Sequence, residues 1–180
     1  VHAMNYLREC NIGLDGVLDR VNNYERIGFK FFYKNIRNEG IIDVDCSDTN
    51  DIVEIDKASF WDILNIDREC FPSDRSDFLK CWLAMPNLKA FARLDDGAVL
   101  GWGAVRKCRK GWKIGPLFAD DAETAEMLFL KLCEKTAPEP VFFDTPEINK
   151  NAVDIAKKYG MQESFATVRM YSKGDPGINV

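Results

Sequence analysis

The chain has 180 residues, which suits one domain with an appendage, and its 46% hydrophobic content is ordinary for a packed core. The formal net charge of -5 argues against nucleic acid or an anionic membrane as a partner, and no apolar run is long enough to span a bilayer. His2 is the only histidine and the six cysteines form no C-x-x-C pair, so histidine catalysis and a metal site are not expected. Scattered cysteines without a secretory signal indicate reduced thiols and a cytoplasmic location.

The first 46 residues predict a β-α-β unit. A short strand is followed by a helix from Val17 to Arg26, a stop at Gly28 and a strand rich in phenylalanine. A hydrophilic bridge follows, and a new series of elements begins at Asp51. We therefore expect a β-α-β fragment over residues 1–46, a domain over residues 51–175 and a tail over residues 176–180.

The domain begins with a strand and two helices, the first capped by Ser59 and the second ending before Pro86. Asp96-Gly97 then joins two strands as a hairpin, and a third strand follows the Lys110-Gly111 turn. The order β-α-α-β-β-β-α-β-α-β over residues 51–173 predicts an α+β fold, with a mixed, mainly antiparallel sheet flanked by helices.

The last two helices of this domain have clear boundaries in the sequence. Apolar periodicity predicts one from Ala122 to about Glu134, and Thr145-Pro146 opens another that stops at Gly160. The unit ending at Gly160 parallels the unit ending at Gly28, which indicates an internal repeat whose first copy lacks its front half. The first copy is expected to pair with the second domain's sheet or with another chain, and the expected partners are a second copy, as in a homodimer, or a missing first half.

The junction between the strand over residues 112–118 and the next helix is the first candidate site. A strand that leads into a helix N-terminus directs unpaired backbone N–H groups at one point, which suits a phosphate-bearing cofactor. Asp120 and Asp121 at this junction also fit an ordinary capping role.

The order of elements, this junction and the spacing of Asn149, Ala152 and Gly160 resemble the GCN5-related N-acetyltransferase (GNAT) superfamily. The segments DRECFPSDRSDFL, GWGAVR and IGPLFADDAETA look like the second half of tandem acetyltransferase-like proteins. By this resemblance, residues 51–175 are a GNAT-like domain and residues 1–46 resemble the end of a preceding GNAT-like half.

The resemblance implies acetyl-CoA or another acyl-CoA as cosubstrate, and an amine of a small molecule or peptide as acceptor. It implies that the pantetheine arm lies along Trp112 and Ile114 and near Asn149. The diphosphate would face the first turns of the following helix, namely Asp120, Asp121, Ala122, Glu123, Thr124 and Ala125.

Further roles follow from the resemblance. Tyr159 is the phenol nearest to Ala156, the position at which many relatives carry a general acid. Asp74 is a candidate to receive the amine proton, Arg75 to bind a substrate carboxylate, and Trp102 to contact the substrate. Core packing explains Tyr159 and Trp102 as well, and capping or local ion pairing also explains the loop residues.

Two departures from the family pattern keep a second function open. The segment ADDAETA has no glycine and places three carboxylates near a dianion, and Ala156 stands where a tyrosine is usual. The alternative is a catalytically degenerate half that acts as a scaffold or ligand-binding module in a tandem protein. A third possibility is a protein-interaction domain that pairs through an exposed strand carrying Phe29, Phe31 and Phe32.

Overall fold

The computed structural model of the protein describes residues 2–44, 51–71, 73–134 and 136–178. The helices are α1 (His2–Tyr6), α2 (Val21–Arg26), α3 (Phe60–Cys70), α4 (Ser76–Leu83), α5 (Ala122–Cys133) and α6 (Lys150–Lys158). The strands are β1 (Gly13–Val17), β2 (Lys30–Gly40), β3 (Ile52–Glu54), β4 (Leu88–Asp95), β5 (Ala98–Lys107), β6 (Trp112–Ala119), β7 (Val141–Pro146) and β8 (Gln162–Tyr171).

All eight strands form one sheet in the order β1-β8-β2-β7-β6-β5-β4-β3. Every neighbouring pair is antiparallel except β6 and β7, which are parallel. Helices α3 and α4 pack on one face over Trp102 and Ala104, and α5 and α6 pack on the other over Val105 and Ile114. The predicted α+β class is confirmed. In the described parts of the chain, no helix combines the length and apolarity needed to cross a bilayer.

Glycines allow α5 to lie close to the sheet. A Cβ atom on Gly101 would lie 2.6 Å from the carbonyl oxygen of Phe118 and 2.9 Å from Cα of Ala119. A Cβ on Gly103 would lie 2.9 Å from methyl groups of Leu117 and Leu132. The first of these contacts is with backbone, so the path of β6 into α5 depends on a glycine at position 101.

The N-terminal unit completes the domain's sheet by an exchange of strands. Strand β2 lies between β7 and β8, and β1 pairs with β8, so the last strand of each β-α-β unit pairs with the first strand of the other. The register between β2 and β8 is reciprocal, with Lys30 opposite Tyr171 and Glu39 opposite Gln162. The two units are thus related by a local twofold arrangement.

This arrangement answers the expectation of an exposed phenylalanine strand. Strand β2 pairs with β8 over residues 30–39 but with β7 only over residues 35–40. Phe29 is buried, and Phe32 packs edge-on against Tyr171. Phe31 is half-exposed, and among the described residues the segment of β2 that carries it has a strand partner on one edge only, which is β8. The strand is therefore not free as expected, but its phenylalanine-bearing segment keeps one edge without a strand partner.

One turn predicted from the sequence is confirmed, and two predicted element boundaries differ from those in the structure. Asp96 and Gly97 adopt φ values of 45° and 85° between β4 and β5, which confirms the hairpin. The start of α6 was misplaced, because Thr145 stays paired with Ile36 in β7 and the cap is Asn149. Strand β2 extends to Gly40, into the predicted hydrophilic bridge, and residues 45–50 of that bridge lie outside the described residues.

Candidate active site

The candidate site opens where β6 and β7 separate. The two strands pair only over three residues of β6, Trp112 to Ile114. Beyond that point β6 continues along β5 up to Ala119, and β7 continues along β2 up to Pro146. The β5–β6 register shifts by one residue between Ile114 and Leu117, so a bulge lies at the point of separation. Residues 115–119 consequently leave one backbone edge unpaired, facing the gap.

The gap between β6 and β7 forms a cavity of about 360 Å³. Its walls are the unpaired segment of β6, one residue of β7, the last turn of α3 and the first turns of α5 and α6. The lining residues are Ile66, Glu69, Cys70, Leu117, Phe118, Ala119, Asp120, Asp121, Ala122, Ala125, Phe143, Asn149, Asn151, Ala152 and Ile155.

The N-termini of α5 and α6 both line this cavity, and each is capped by the side chain of its N-cap residue, Asp121 in α5 and Asn149 in α6. The carboxylate of Asp121 accepts hydrogen bonds from the backbone N–H and the hydroxyl of Thr124, both at 2.8 Å. The backbone N–H of Thr124 is the main reason that the pKa of Asp121 is lowered. At α6, Oδ1 of Asn149 accepts from the N–H of Ala152 at 3.0 Å. Part of the anion-binding capacity of both termini is therefore already in use.

The charged groups that line the cavity are all acidic: Glu69, Asp120 and Asp121. The guanidinium of Arg93 lies near the N-terminus of α5 but outside the cavity lining, and its Nη1 donates to Thr124 Oγ1 at 2.9 Å. Arg93 was not among the site residues predicted from the sequence. Its signal was a basic residue in a strand otherwise rich in alanine and apolar side chains, a position that calls for a polar partner.

The structure brings five of the expected cofactor-binding residues together on the cavity wall: Asp120, Asp121, Ala122, Ala125 and Asn149. The other two from the same helix do not line it. Thr124 is fully buried, with its N–H and hydroxyl bonded to Asp121. Glu123 is exposed and lies 3.8 Å from Arg93.

The backbone at Trp112 and Ile114 was expected to bind the pantetheine arm, but it has no unpaired edge. Their stretch of β6 pairs with β5 on one side and β7 on the other. Ile114 is buried in the core, and Lys107 lies 5.0 Å from the ring centre of Trp112. The unpaired edge begins one residue later, so the correction moves the candidate binding segment to residues 115–119.

Two further candidates lie away from the cavity. Trp102 is fully buried in the core, with its ring 5.6 Å from that of Phe118, so it has no surface with which to meet a substrate. Tyr159 packs 5.4 Å from Phe129, and its hydroxyl donates to Glu126 on α5. The phenol of Tyr159 therefore joins α5 to α6 and is not among the cavity-lining groups.

The loop between α3 and α4 also differs from expectation. Asp74 is exposed and accepts from the N–H of Ser76 at 3.0 Å, a hydrogen bond that lowers its pKa. Arg75 makes two hydrogen bonds, of 2.7 and 2.5 Å, to the fully buried carboxylate of Asp67, and stacks 3.5 Å above the ring of Phe71. The guanidinium of Arg75 thus holds the loop to α3, which explains it without a substrate.

Helix α3 contributes residues to the cavity that were not predicted from the sequence. Ile66, Glu69 and Cys70 follow a spacing of three and four residues, which places them on one face of a helix. That spacing was readable from the sequence. It carried no information on which part of the sheet the face would meet, since this depends on long-range packing.

Comparisons with known proteins agree with this geometry. The family model described as acetyltransferase (GNAT) domain matches residues 63–178. The curated holothin acyltransferase of Pseudoalteromonas sp. (strain SANK 73390) is 25% identical over 175 residues, which cover 97% of this chain and 60% of that protein. The chain thus spans less than two thirds of that relative's length.

Solved structures share the fold. A proposed acetyltransferase from Pyrococcus horikoshii matches with a TM-score of 0.75 at 25% identity, covering 94% of this chain and 56% of that one. A tandem GNAT protein from the clavulanic acid biosynthesis pathway matches with a TM-score of 0.60 at 12% identity, covering 97% and 68%. The match to the tandem protein concerns the fold alone.

Proposed function

This chain belongs to the acetyltransferase (GNAT) domain family, and from that premise we propose that it transfers an acyl group from an acyl-CoA to an amine. The observation that carries the proposal is the separation of β6 from β7, which leaves the backbone of residues 115–119 unpaired beside a cavity. An extended, amide-containing arm such as pantetheine can add to such an edge as a strand does.

The residues around the cavity suit the pantetheine arm of this cosubstrate better than its diphosphate. The apolar and amide groups around the arm, Leu117, Ala152 and Asn149, suit pantetheine. At the diphosphate end, the α5 terminus favours an anion, but Asp120 and Asp121 repel one. Arg93 lies behind Thr124, but its guanidinium is paired with Asp51 at 2.7 Å, so it offsets little of that repulsion. We therefore expect binding that is real but weaker than at a glycine-rich terminus.

The bound acyl-CoA supplies an activated acyl group as a thioester. The chain's contribution is to hold that group beside the bulge in β6, where backbone N–H groups on the unpaired edge can donate to the carbonyl oxygen as negative charge develops there. Walls from Ile66, Phe118 and Phe143 limit water around the reacting atoms. The amine then reacts directly, so no nucleophilic side chain is needed.

An acyl-transfer assay tests this function. The chain is incubated with acetyl-CoA and a panel of primary amines, and release of the free thiol is followed against an amine-free control. Because the Pseudoalteromonas relative is named for acylating holothin, holothin belongs in the panel. The proposal expects amine-dependent release together with a new amide in the mass spectrum. Release no faster than in the control, for every amine and acyl chain tried, would contradict it.

A second candidate is a degenerate half in a tandem protein. Two observations favour it: Asp121 already uses the N–H of Thr124, and β1-α2-β2 pairs with β7-α6-β8 as one repeat with another. On this proposal, residues 1–46 are the end of a preceding GNAT-like half and this domain binds a ligand or supports the other half. Acyl transfer by the 180-residue chain alone would count against it.

A further inference from the structure

The last turn of α3 presents a carboxylate to the cavity from a firmly anchored position. Glu69 and Ile66 line the cavity, and so does the unpaired segment of β6. Asp67, on the other side of the same turn, is fully buried and bonded twice to Arg75. Arg75 in turn stacks on Phe71. This anchoring fixes the end of the helix, and with it the direction from which Glu69 approaches the cavity.

The other ionisable groups on the cavity wall are less suited to receive a proton. Asp121 is engaged by Thr124, and hydrogen bonds lower its pKa. Asp120 precedes it at the α5 terminus, the end assigned above to the diphosphate. Burial, followed by the charge of Asp67, raises the pKa of the Cys70 thiol, which keeps it protonated and a poor nucleophile.

Glu69 differs from all of these. Among the residues that the structure describes, no hydrogen bond or ion pair to its carboxylate is found, and the side chain is exposed to the cavity. The acid and the phenol expected from the sequence do not compete: Asp74 accepts from the N–H of Ser76, Tyr159 bonds to Glu126, and neither residue lines the cavity.

We propose that Glu69 accepts the proton that the acceptor amine loses during acyl transfer, an inference that rests on the proposed function. The amine nitrogen forms a bond to the acyl carbon while the C–S bond of the thioester breaks. The nitrogen's proton passes to the Glu69 carboxylate, and CoA leaves as a thiolate that takes a proton from solvent. The same carboxylate attracts the ammonium form of the amine into the cavity before reaction.

Substitution with a matched control tests the role. Glu69→Gln keeps the shape of the side chain and removes the base, whereas Glu25→Gln makes the same change on an exposed position of α2. With acetyl-CoA and the best amine of the panel, kcat of Glu69→Gln is expected to fall by about 10²- to 10⁴-fold. The KM for acetyl-CoA should stay within about twofold, because binding of the arm does not use this carboxylate. Glu25→Gln should match the wild type.

Two further readouts separate catalysis from structure. Glu69→Ala should regain activity when formate is added, since a small carboxylate can enter the space left by the side chain. The acid limb of the wild-type pH profile should be absent from Glu69→Gln, in which the other ionisable groups on the cavity wall, Cys70, Asp120 and Asp121, are unchanged. A Glu69→Gln variant with wild-type kcat, or a Glu69→Ala variant without formate rescue, would overturn the inference and leave the proposed function standing. A wild-type chain that transfers to no amine would overturn both.

Discussion

The carboxylate of Asp121 accepts two hydrogen bonds from Thr124, one from its backbone N–H and one from its hydroxyl, each 2.8 Å long. The cap therefore places a negative charge where the diphosphate of acyl-CoA is proposed to lie. Serine at this position would retain the cap without the charge. We expect Asp121→Ser to bind CoA about twofold to fivefold more tightly, the effect of one charge at a helix N-terminus.

Isothermal titration at low ionic strength measures this change, with Asp95→Ser in the β4–β5 hairpin as the control. The gain should shrink as salt is added, since screening weakens the repulsion that the substitution removes. Equal affinity of Asp121→Ser and wild type at every salt concentration would mean that the diphosphate does not approach this terminus.

Gly101 and Gly103 make a matched pair for testing how the junction between β6 and α5 is held. A Cβ at position 101 would lie within 2.9 Å of backbone atoms of Phe118 and Ala119. At position 103 the contacts at 2.9 Å are leucine methyl groups, and the nearest backbone atom, the carbonyl oxygen of Pro116, lies 3.4 Å away. We expect Gly101→Ala to cost about 1–3 kcal/mol of unfolding free energy and to weaken CoA binding. Gly103→Ala should cost less and bind CoA normally. Denaturant unfolding and CoA titration of both variants check this, and a reversed order would refute it.

Arg75 is expected to act on stability and not on substrate recognition. Arg75→Ala would leave the carboxylate of Asp67 buried without its partner, a change that costs about 3–5 kcal/mol. Arg68→Ala, on the exposed side of α3, should cost no more than about 0.5 kcal/mol. Urea unfolding gives both values. If Arg75→Ala were fully stable but had a raised KM for one carboxylate-bearing amine, the substrate role expected from the sequence would be restored.

Tyr159 is expected to support packing and not proton transfer. Tyr159→Phe removes the hydrogen bond to Glu126 while keeping the ring against Phe129. We expect a loss of about 0.5–1.5 kcal/mol in unfolding free energy and an unchanged kcat. A large fall in kcat with normal stability would instead assign the phenol to catalysis.

Glu126 gives this contact a pH dependence. The hydrogen bond from Lys158, followed by that from Tyr159, holds the pKa of Glu126 below the usual value of a glutamate. A depressed pKa in the folded state contributes stability that is complete above the unfolded value and is lost as the pH falls through the folded value. Between about pH 5 and pH 3, the wild type should therefore lose more thermal stability than Glu126→Gln. Parallel melting curves for the two proteins would show that the contact contributes nothing.

The sequence predicted much of the fold because its signals were local. Four local features follow from the conformations that their residues favour, and all four are present in the structure. They are the turn at Asp96-Gly97, the helix ends at Gly28 and Gly160, and the helix cap at Ser59. The start of α6 was misplaced, because Thr145-Pro146 is an equally good opening by local rules. Pairing of Thr145 with Ile36, more than one hundred residues earlier, keeps it in the strand.

The candidate site was predictable only where it depended on the junction after β6. Asp120 and Asp121 were found because they sit at a helix start that the sequence marks, whereas Asn149 was found only through the family resemblance. Glu69 and Arg93 were missed, since their positions depend on how α3 and β4 pack against distant elements. The extent of pairing between β6 and β7, which separates Ile114 from the unpaired segment, has no local signal at all.

The central claim is that the cavity between β6 and β7 holds an acyl-CoA. Titration of acetyl-CoA into the wild type, Ala152→Trp and Ala98→Trp by calorimetry tests it most directly. Ala152 lines the cavity, so a tryptophan there would fill it, whereas Ala98 is exposed at the start of β5. We predict saturable one-to-one binding to the wild type and to Ala98→Trp, and none to a folded Ala152→Trp. No binding to the wild type, or equal binding to all three proteins, would contradict the claim.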